Sequence, residues 1–227
     1  MDEARKTNAL RGPAFAAKYL GGRVIDIGAG RDLVSPNAER FDIDDGDANF
    51  ISRFRPAGAY DAVHSSHCLE HMHDPRAALR EWWSLVKPGG YLILVVPDED
   101  LYEQGIWPSI FNRDHKATFR LDKPDSWSAV SHDIGKLVAA LPQCEVISAA
   151  VQDANYDYSL RMKHGDVRRK RAWWLRLGKS IGTRLPVVGR RLKIGFENLA
   201  ARRGVPLDQT TREALAQIQV VARKLPA

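Results

Sequence analysis

The sequence predicts an α/β fold on a doubly wound sheet, mostly parallel with an antiparallel last strand, and three observations predict it. Short strand-like runs alternate with helical segments from residue 23 onward. One run, residues 91–96 (YLILVV), is apolar almost throughout, as in a strand buried on both faces of a parallel sheet. Two further strands come late in the chain, which fits an antiparallel final pair. A length of 227 residues suits one domain spanning 1–227.

In chain order, residues 8–20 read as a lead-in helix ended by Gly21-Gly22, and residues 23–27 as an apolar strand running into Gly28-Ala29-Gly30. Residues 40–43 form a second short strand and 49–52 a stunted third. Residues 60–66 (YDAVHSS) are a strand, followed by a helix over 75–86 with Pro75 at its favoured first position and Lys87-Pro88-Gly89-Gly90 as its stop. After the apolar strand at 91–96, residues 98–130 are polar, aromatic-rich and without period. That length predicts a lid or acceptor-binding segment. A helix over 131–141 capped by Ser131, a strand over 145–151, a basic helical insertion over 160–212 and a strand over 216–223 complete the chain.

Residues 161–203 carry fourteen Lys/Arg against Asp166 and Glu197, a charge of +12, and the other 184 residues sum to −6. The basicity therefore belongs to one segment. A nucleic-acid enzyme more often spreads positive charge around its cleft, which makes nucleic acid the less favoured partner. Cys68 and Cys144 lie far apart with no Cys/His spacing, so neither a disulfide framework nor a zinc site is expected. No signal-like start and no bilayer-length apolar run is present, and a cytoplasmic enzyme is expected.

Two segments carry candidate ligand chemistry. In residues 24–32 (VIDIGAGRD), a buried strand feeds a Gly-x-Gly turn whose missing Cβ atoms bring a ligand against main-chain N–H groups, with Asp26 just before it. In residues 41–50 (FDIDDGDANF), an acid at the tip of the second strand suits a ribose diol, since a carboxylate accepts from both hydroxyls. Asp42 is the first choice and Asp44 the second. Asp47 is placed to accept from an adenine amino group or to sit in a solvated acidic turn.

A third segment is more specific. Residues 60–98 run YDAVHSSHCLEHMHDPRAALREWWSLVKPGGYLILVVPD: an Asp-x-Val strand, a Leu-Glu-His turn, a helix, Leu-x-Lys-Pro-Gly-Gly, and a strand ending in Pro. With the Gly-x-Gly turn, this resembles the class I S-adenosylmethionine-dependent methyltransferases over about residues 20–98. The resemblance implies a Rossmann-like seven-stranded sheet and S-adenosylmethionine as methyl donor; about the acceptor it implies little. It puts Asp26, Gly28 and Gly30 around the methionine moiety, Asp42 on the ribose, Asp47 and Ala48 beside the adenine, and Ser65, Ser66 and His67 near the sulfonium methyl. The sequence departs from the family in two ways. Asp32 stands where the third glycine belongs, and only about fourteen residues separate Gly28 from Asp42, so the intervening helix must be much shortened. A compressed first half of this kind resembles methyltransferases encoded among bacterial cell-surface polysaccharide genes.

A hydroxyl acceptor needs a base as it attacks. Among the histidines, His64 reads as a structural strand residue. His115, in the lid-like FNRDHKATF, is the first choice as base and His71 the second. No metal ligand is assigned; a metal would need Asp114, His115 and a cleft histidine. Tyr102, Trp107, Phe111, Phe119 and Trp127 offer either a grip on a sugar or a lid core. Trp173, Trp174, Leu177 and Ile181, among Arg168 to Lys179, have the pattern of a surface helix at an anionic membrane, or of a helix packed on the domain with a solvated basic face. The expectation is an O-methyltransferase acting on a glycan or small-molecule acceptor, with a peripheral place at the inner face of the membrane through residues 161–203. An RNA or protein methyltransferase, and a non-catalytic cofactor-binding module docking a partner through the basic insertion, are the alternatives.

Overall fold

The computed structural model describes residues 3–163, 165 and 188–226. A lead-in helix α1 (Glu3–Tyr19) is broken at Gly12, which has φ 66° and ψ 173°, just before Pro13. Strands β1 (Val24–Ile27), β2 (Glu39–Phe41) and β3 (Tyr60–Ser66) follow, then helix α2 (Pro75–Leu85) and the long strand β4 (Val86–Pro97). Next come β5 (Thr118–Arg120), β6 (Ser131–Asp133), α3 (Ile134–Ala139), β7 (Cys144–Gln152), α4 (Val188–Arg202) and β8 (Gln217–Lys224).

Among the described residues the main sheet has six strands in the order β2-β1-β3-β4-β8-β7, and β5 and β6 form a separate parallel pair. Strands β1 to β4 are parallel, and β8 runs antiparallel to both of its neighbours. This corrects the seven-stranded expectation. Residues 49–52, expected as a stunted strand, lie in a 3-10 turn over Ala48–Arg53. The Asp47 carboxylate accepts from Asn49 N at 2.8 Å and Asn49 Nδ2 at 2.7 Å, so its side chain caps a turn where a strand would extend. Ile51 in this turn is fully buried, and Trp82 Nε1 donates to Ala48 O at 2.9 Å. The three-residue β2 thus becomes the sheet edge. Nor does any helix lie between β1 and β2, only turns and bends, which is how the chain covers the short distance from Gly28 to Asp42.

Helix α2 starts where Pro75 predicts. The Asp74 carboxylate accepts from Arg76 N and Ala77 N and so satisfies two of the orphan donors of the first turn. Its buried face carries Leu79, Trp82, Trp83 and Leu85, each worth about 1.5–3 kcal/mol of apolar burial. The expected stop at Lys87-Pro88-Gly89-Gly90 lies inside β4, which begins at Val86 opposite Tyr60 and shifts register before Ala62 meets Tyr91.

The segment 98–130 carries a network of buried and part-buried hydrogen bonds. A helical turn over Glu99–Glu103 is capped by Asp98, which accepts from Asp100 N and Leu101 N. The wholly buried Glu99 accepts from Thr118 Oγ1, Ser126 Oγ and Ser131 Oγ and pairs with Lys123. Ser131, expected as a helix cap, therefore belongs to β6. The cap of α3 is Asp133, whose side chain accepts from Lys136 N at 3.1 Å. The helix expected around Trp173, Trp174, Leu177 and Ile181 lies outside the described residues. Among the described residues, no helix is long and apolar enough to cross a membrane.

Candidate active site

The site forms at the carboxyl ends of β1, β2 and β3, around the turn after β1. Gly28 has φ 73°, and a Cβ placed there would lie 2.7 Å from both Cβ and Sγ of Cys68, so only glycine fits. Gly30 has φ 58°, but a Cβ there would meet no protein atom within 4 Å. The Gly30 N–H donates to Asp42 Oδ2 at 2.7 Å, and Ile43 N donates to Asp42 Oδ1 at 2.8 Å. Asp42 thereby pins the glycine turn to the tip of β2. With one protein N–H on each oxygen, a lone pair remains on each for a ligand.

Asp26 is almost fully buried in β1. Its Oδ2 accepts from Val34 N at 2.7 Å, and its Oδ1 faces His64 Nδ1 at 2.6 Å. Arg11 Nη1 lies 3.1 Å from His64 Nε2, and a guanidinium can only donate, so His64 must accept at Nε2 and donate Nδ1–H to Asp26. Burial holds the His64 pKa below its ordinary value and lowers that of Arg11 to about 10. His64 is thus the strand residue expected, and its work is to orient the acid of the glycine turn.

Two adjoining cavities of about 530 and 440 Å³ share Gly28, His67 and His71. The larger is lined by Asp26, Gly30, Ser66, Glu70, Tyr102 and His115 among others. Asp42, Asp47 and Ala48 line the smaller. Of the residues expected at a cofactor, Ser65 is the exception. Successive strand residues point to opposite faces, so Ser65 and Ser66 cannot both face the cleft. Ser65 is buried, donates to Ile27 O at 3.0 Å and lines neither cavity. Asp47 borders the smaller cavity while it caps the 3-10 turn, and its hydrogen bonds from Asn49 hold its pKa below the usual carboxylate range. Asp44, the second choice for a ribose, has a side chain 82% exposed, pairs with Arg40 and lines neither cavity.

On the other wall, four groups converge. His115 is buried rather than displayed on a lid, yet it lines the larger cavity, and its Nδ1 lies 2.7 Å from Glu103 Oε1. His71 Nδ1 lies 3.1 Å from Asp114 Oδ2. Between them sits Glu70, 1% exposed, with neither carboxylate oxygen hydrogen-bonded. Its Oε1 lies 3.6 Å from His67 Nδ1 and 3.9 Å from Nε2 of both His71 and His115. Burial alone would push the Glu70 carboxyl up, but His67 above all, with His115 and His71, holds it below its ordinary value. The 112–117 loop is stitched on by Lys116 N and Ala117 N, which both donate to Glu70 O.

Sequence reasoning named His71 and His115 but missed Glu70 and Glu103. Glu70 stood inside the quoted Leu-Glu-His turn, and its isolation among histidines was the available signal. Of the five aromatics, Tyr102 lines the cavity and stacks 5.3 Å from His115, Phe119 is core, and Trp127 donates to Asp100.

The family described as methyltransferase domain matches residues 1–135, more than half of the chain. No curated protein matches the sequence. Three solved structures illustrate the likeness. An S-adenosylmethionine-dependent methyltransferase from Archaeoglobus fulgidus is 14% identical with a TM-score of 0.49, over 98% of this chain and 95% of that one. The YcgJ protein of Bacillus subtilis is 15% identical at 0.48, over 98% and 99%. A Haemonchus contortus phosphoethanolamine N-methyltransferase 2, in complex with phosphomonomethylethanolamine and S-adenosylhomocysteine, is 12% identical at 0.48, over 99% of this chain and 53% of that one.

Proposed function

Because this chain belongs to the methyltransferase-domain family and is an S-adenosylmethionine-dependent methyltransferase, we propose that it methylates a hydroxyl of a small, sugar-like acceptor held over His71 and His115. The residues present fit the cofactor. Gly30 leaves open space where any other side chain would intrude, Asp42 keeps acceptor capacity at the tip of β2, and Asp26 is held in one orientation by His64. In this reading the smaller cavity takes the nucleoside, with Asp42 on the ribose and Asp47 and Ala48 beside the base. The larger cavity takes the methionine end at Asp26, Gly28 and Gly30, and the acceptor beyond Ser66 and His67. When bound, the cofactor supplies a methyl group on a cationic sulfur, open to in-line attack.

One observation carries the hydroxyl assignment. Two imidazoles in the cavity wall each have Nδ1 braced by an oxygen, the Glu103 carboxylate for His115 and, for His71, the Asp114 carbonyl at 3.3 Å with the Asp114 carboxylate close by. That bracing fixes the proton on Nδ1 and leaves Nε2 as the acceptor, which is what withdrawal of a proton from an attacking hydroxyl requires. The shortened first half, similar to methyltransferases encoded among bacterial cell-surface polysaccharide genes, favours a glycan acceptor. The +12 segment over 161–203 favours a lipid-linked one presented at an anionic surface.

Mass-spectrometric detection of methyl transfer to a panel of sugars, lipid-linked glycans, phenols and amines tests the reading. Transfer to hydroxyl acceptors is expected, with turnover reduced on the order of 10²- to 10⁴-fold in His115→Ala while S-adenosylhomocysteine still binds. Transfer to amines alone, or an unchanged rate in both His115→Ala and His71→Ala, would refute it.

A further inference from the structure

We propose that Glu70, His71 and His115 form a binding site for a divalent first-row transition cation. The three ligand atoms all lie within 4.8 Å of one another. Glu70 Oε1 lies 3.9 Å from each Nε2. Ligand atoms bound at about 2.1 Å in a tetrahedral site stand roughly 3.4 Å apart, so the two pairs with Glu70 need to close by about half an ångström and no pair by more than about 1.4 Å.

The proton bookkeeping points the same way. His115 gives its Nδ1–H to Glu103, and His71 gives its own to Asp114, so both Nε2 lone pairs are directed at Glu70. His67 Nε2 lies 3.0 Å from Gln217 Oε1, and the Gln217 amide donates to Thr7 and Gln152. Gln217 Oε1 is thereby the acceptor and His67 Nε2 the donor, which turns the Nδ1 lone pair of His67 towards Glu70 Oε1 as well. Three imidazole nitrogens thus converge on a buried carboxylate neither of whose oxygens is hydrogen-bonded. A cation there would satisfy a buried carboxylate that no hydrogen bond reaches. A carboxylate on Nδ1 of His115 and a backbone carbonyl on Nδ1 of His71 are the outer supports that metal-ligating histidines require. Asp114, one of the residues a metal would need on sequence grounds, instead supports His71 through its backbone carbonyl.

Two imidazoles and one carboxylate leave coordination positions open, and the three side chains line the larger cavity. What the cation does there rests on the methyltransferase reading. The acceptor oxygen takes an open position, its O–H breaks with the proton leaving to solvent, and its lone pair forms the C–O bond. The S–C bond breaks as its electron pair returns to sulfur. With the cation bound, both Nε2 atoms are its ligands, so His71 and His115 act on the hydroxyl through it, and the base role given them above belongs to the cation-free chain.

The test is calorimetric titration of the chelator-stripped full chain with Zn²⁺ and Co²⁺, with S-adenosylhomocysteine titrated separately. One saturable equivalent is expected, with a Co²⁺ visible band of low-symmetry coordination. Glu70→Gln and His115→Ala should each weaken binding by at least about 100-fold, and Glu103→Gln by roughly 10- to 100-fold. His132→Ala, in β6, serves as the unaffected control. Glu70→Gln keeps the shape of the side chain, and its S-adenosylhomocysteine affinity and circular dichroism report whether it folds. No saturable uptake by the wild type, as imidazolium protons in place of a cation would give, or equal uptake by folded Glu70→Gln, overturns the site. Cation binding by a chain that binds no S-adenosylhomocysteine sustains the site and sinks the functional reading; the reverse result sinks the site alone.

Discussion

Replacing Asp42 by alanine tests the cofactor site most directly, because the same carboxylate has a structural and a ligand-binding task. In the free protein it accepts from Gly30 N at 2.7 Å and Ile43 N at 2.8 Å. Hydrogen bonds to a charged group contribute about 1.5–3 kcal/mol each where water is excluded. The Asp42 side chain is 24% exposed, so water replaces part of that loss. A stability cost of about 1–2 kcal/mol follows, a fall of roughly 2–8 °C in Tm for a chain of this size. The affinity loss is separate. A carboxylate that also accepts from a ribose diol adds about 1.5–3 kcal/mol, so Asp42→Ala should bind S-adenosylhomocysteine roughly 10- to 150-fold more weakly. Asp44→Ala is the matched control: its exposed pair with Arg40 is worth at most about 0.5 kcal/mol and its affinity should be that of the wild type. Calorimetric titration and thermal unfolding of the three proteins decide the matter. A folded Asp42→Ala protein with affinity within twofold of the wild type, or an equal loss in Asp44→Ala, would refute the assignment of the second cavity to the nucleoside.

Two further outcomes separate packing from ligand binding and locate a pH dependence. Gly28→Ala should lower Tm sharply, because its Cβ meets Cys68 at 2.7 Å, whereas Gly30→Ala should cost only the left-handed backbone penalty of about 1–2 kcal/mol yet lose most S-adenosylhomocysteine affinity. Wild-type affinity in Gly30→Ala would remove the turn from the site. Burial pushes the Asp98 carboxyl up to about 6 from an unfolded value near 3.8, so the native state binds the extra proton between those values and stability falls as pH rises through that window. Asp98→Asn keeps a capping acceptor without the charge. Its melting temperature should exceed the wild type's at pH 7, by the equivalent of at most about 3 kcal/mol, and the gain should vanish by pH 4. A gain independent of pH would show that the charge of Asp98 is not its source.

Sequence alone determined the alternation of elements, the parallel sheet with β8 reversed, and the acids and glycines at the strand tips, because each is a local property. Strand period, a Pro at the first helical position and a Gly-x-Gly turn need no partner to be legible. The first errors came where a side chain competed for the backbone. Asp47 drew residues 48–53 into a 3-10 turn and cost the sheet its seventh strand, and Asp133 rather than Ser131 began α3. Tertiary structure alone decided what the acids and histidines work against. Asp26 meets His64 across 38 residues, Asp42 meets Gly30 across 12, and His71 meets Asp114 across 43. Glu70 became notable only when the Leu-Glu-His turn and the 112–117 loop closed around it. A buried carboxylate without a partner is a property of the space around it, set by the packing of distant segments, and no spacing along the chain encodes it.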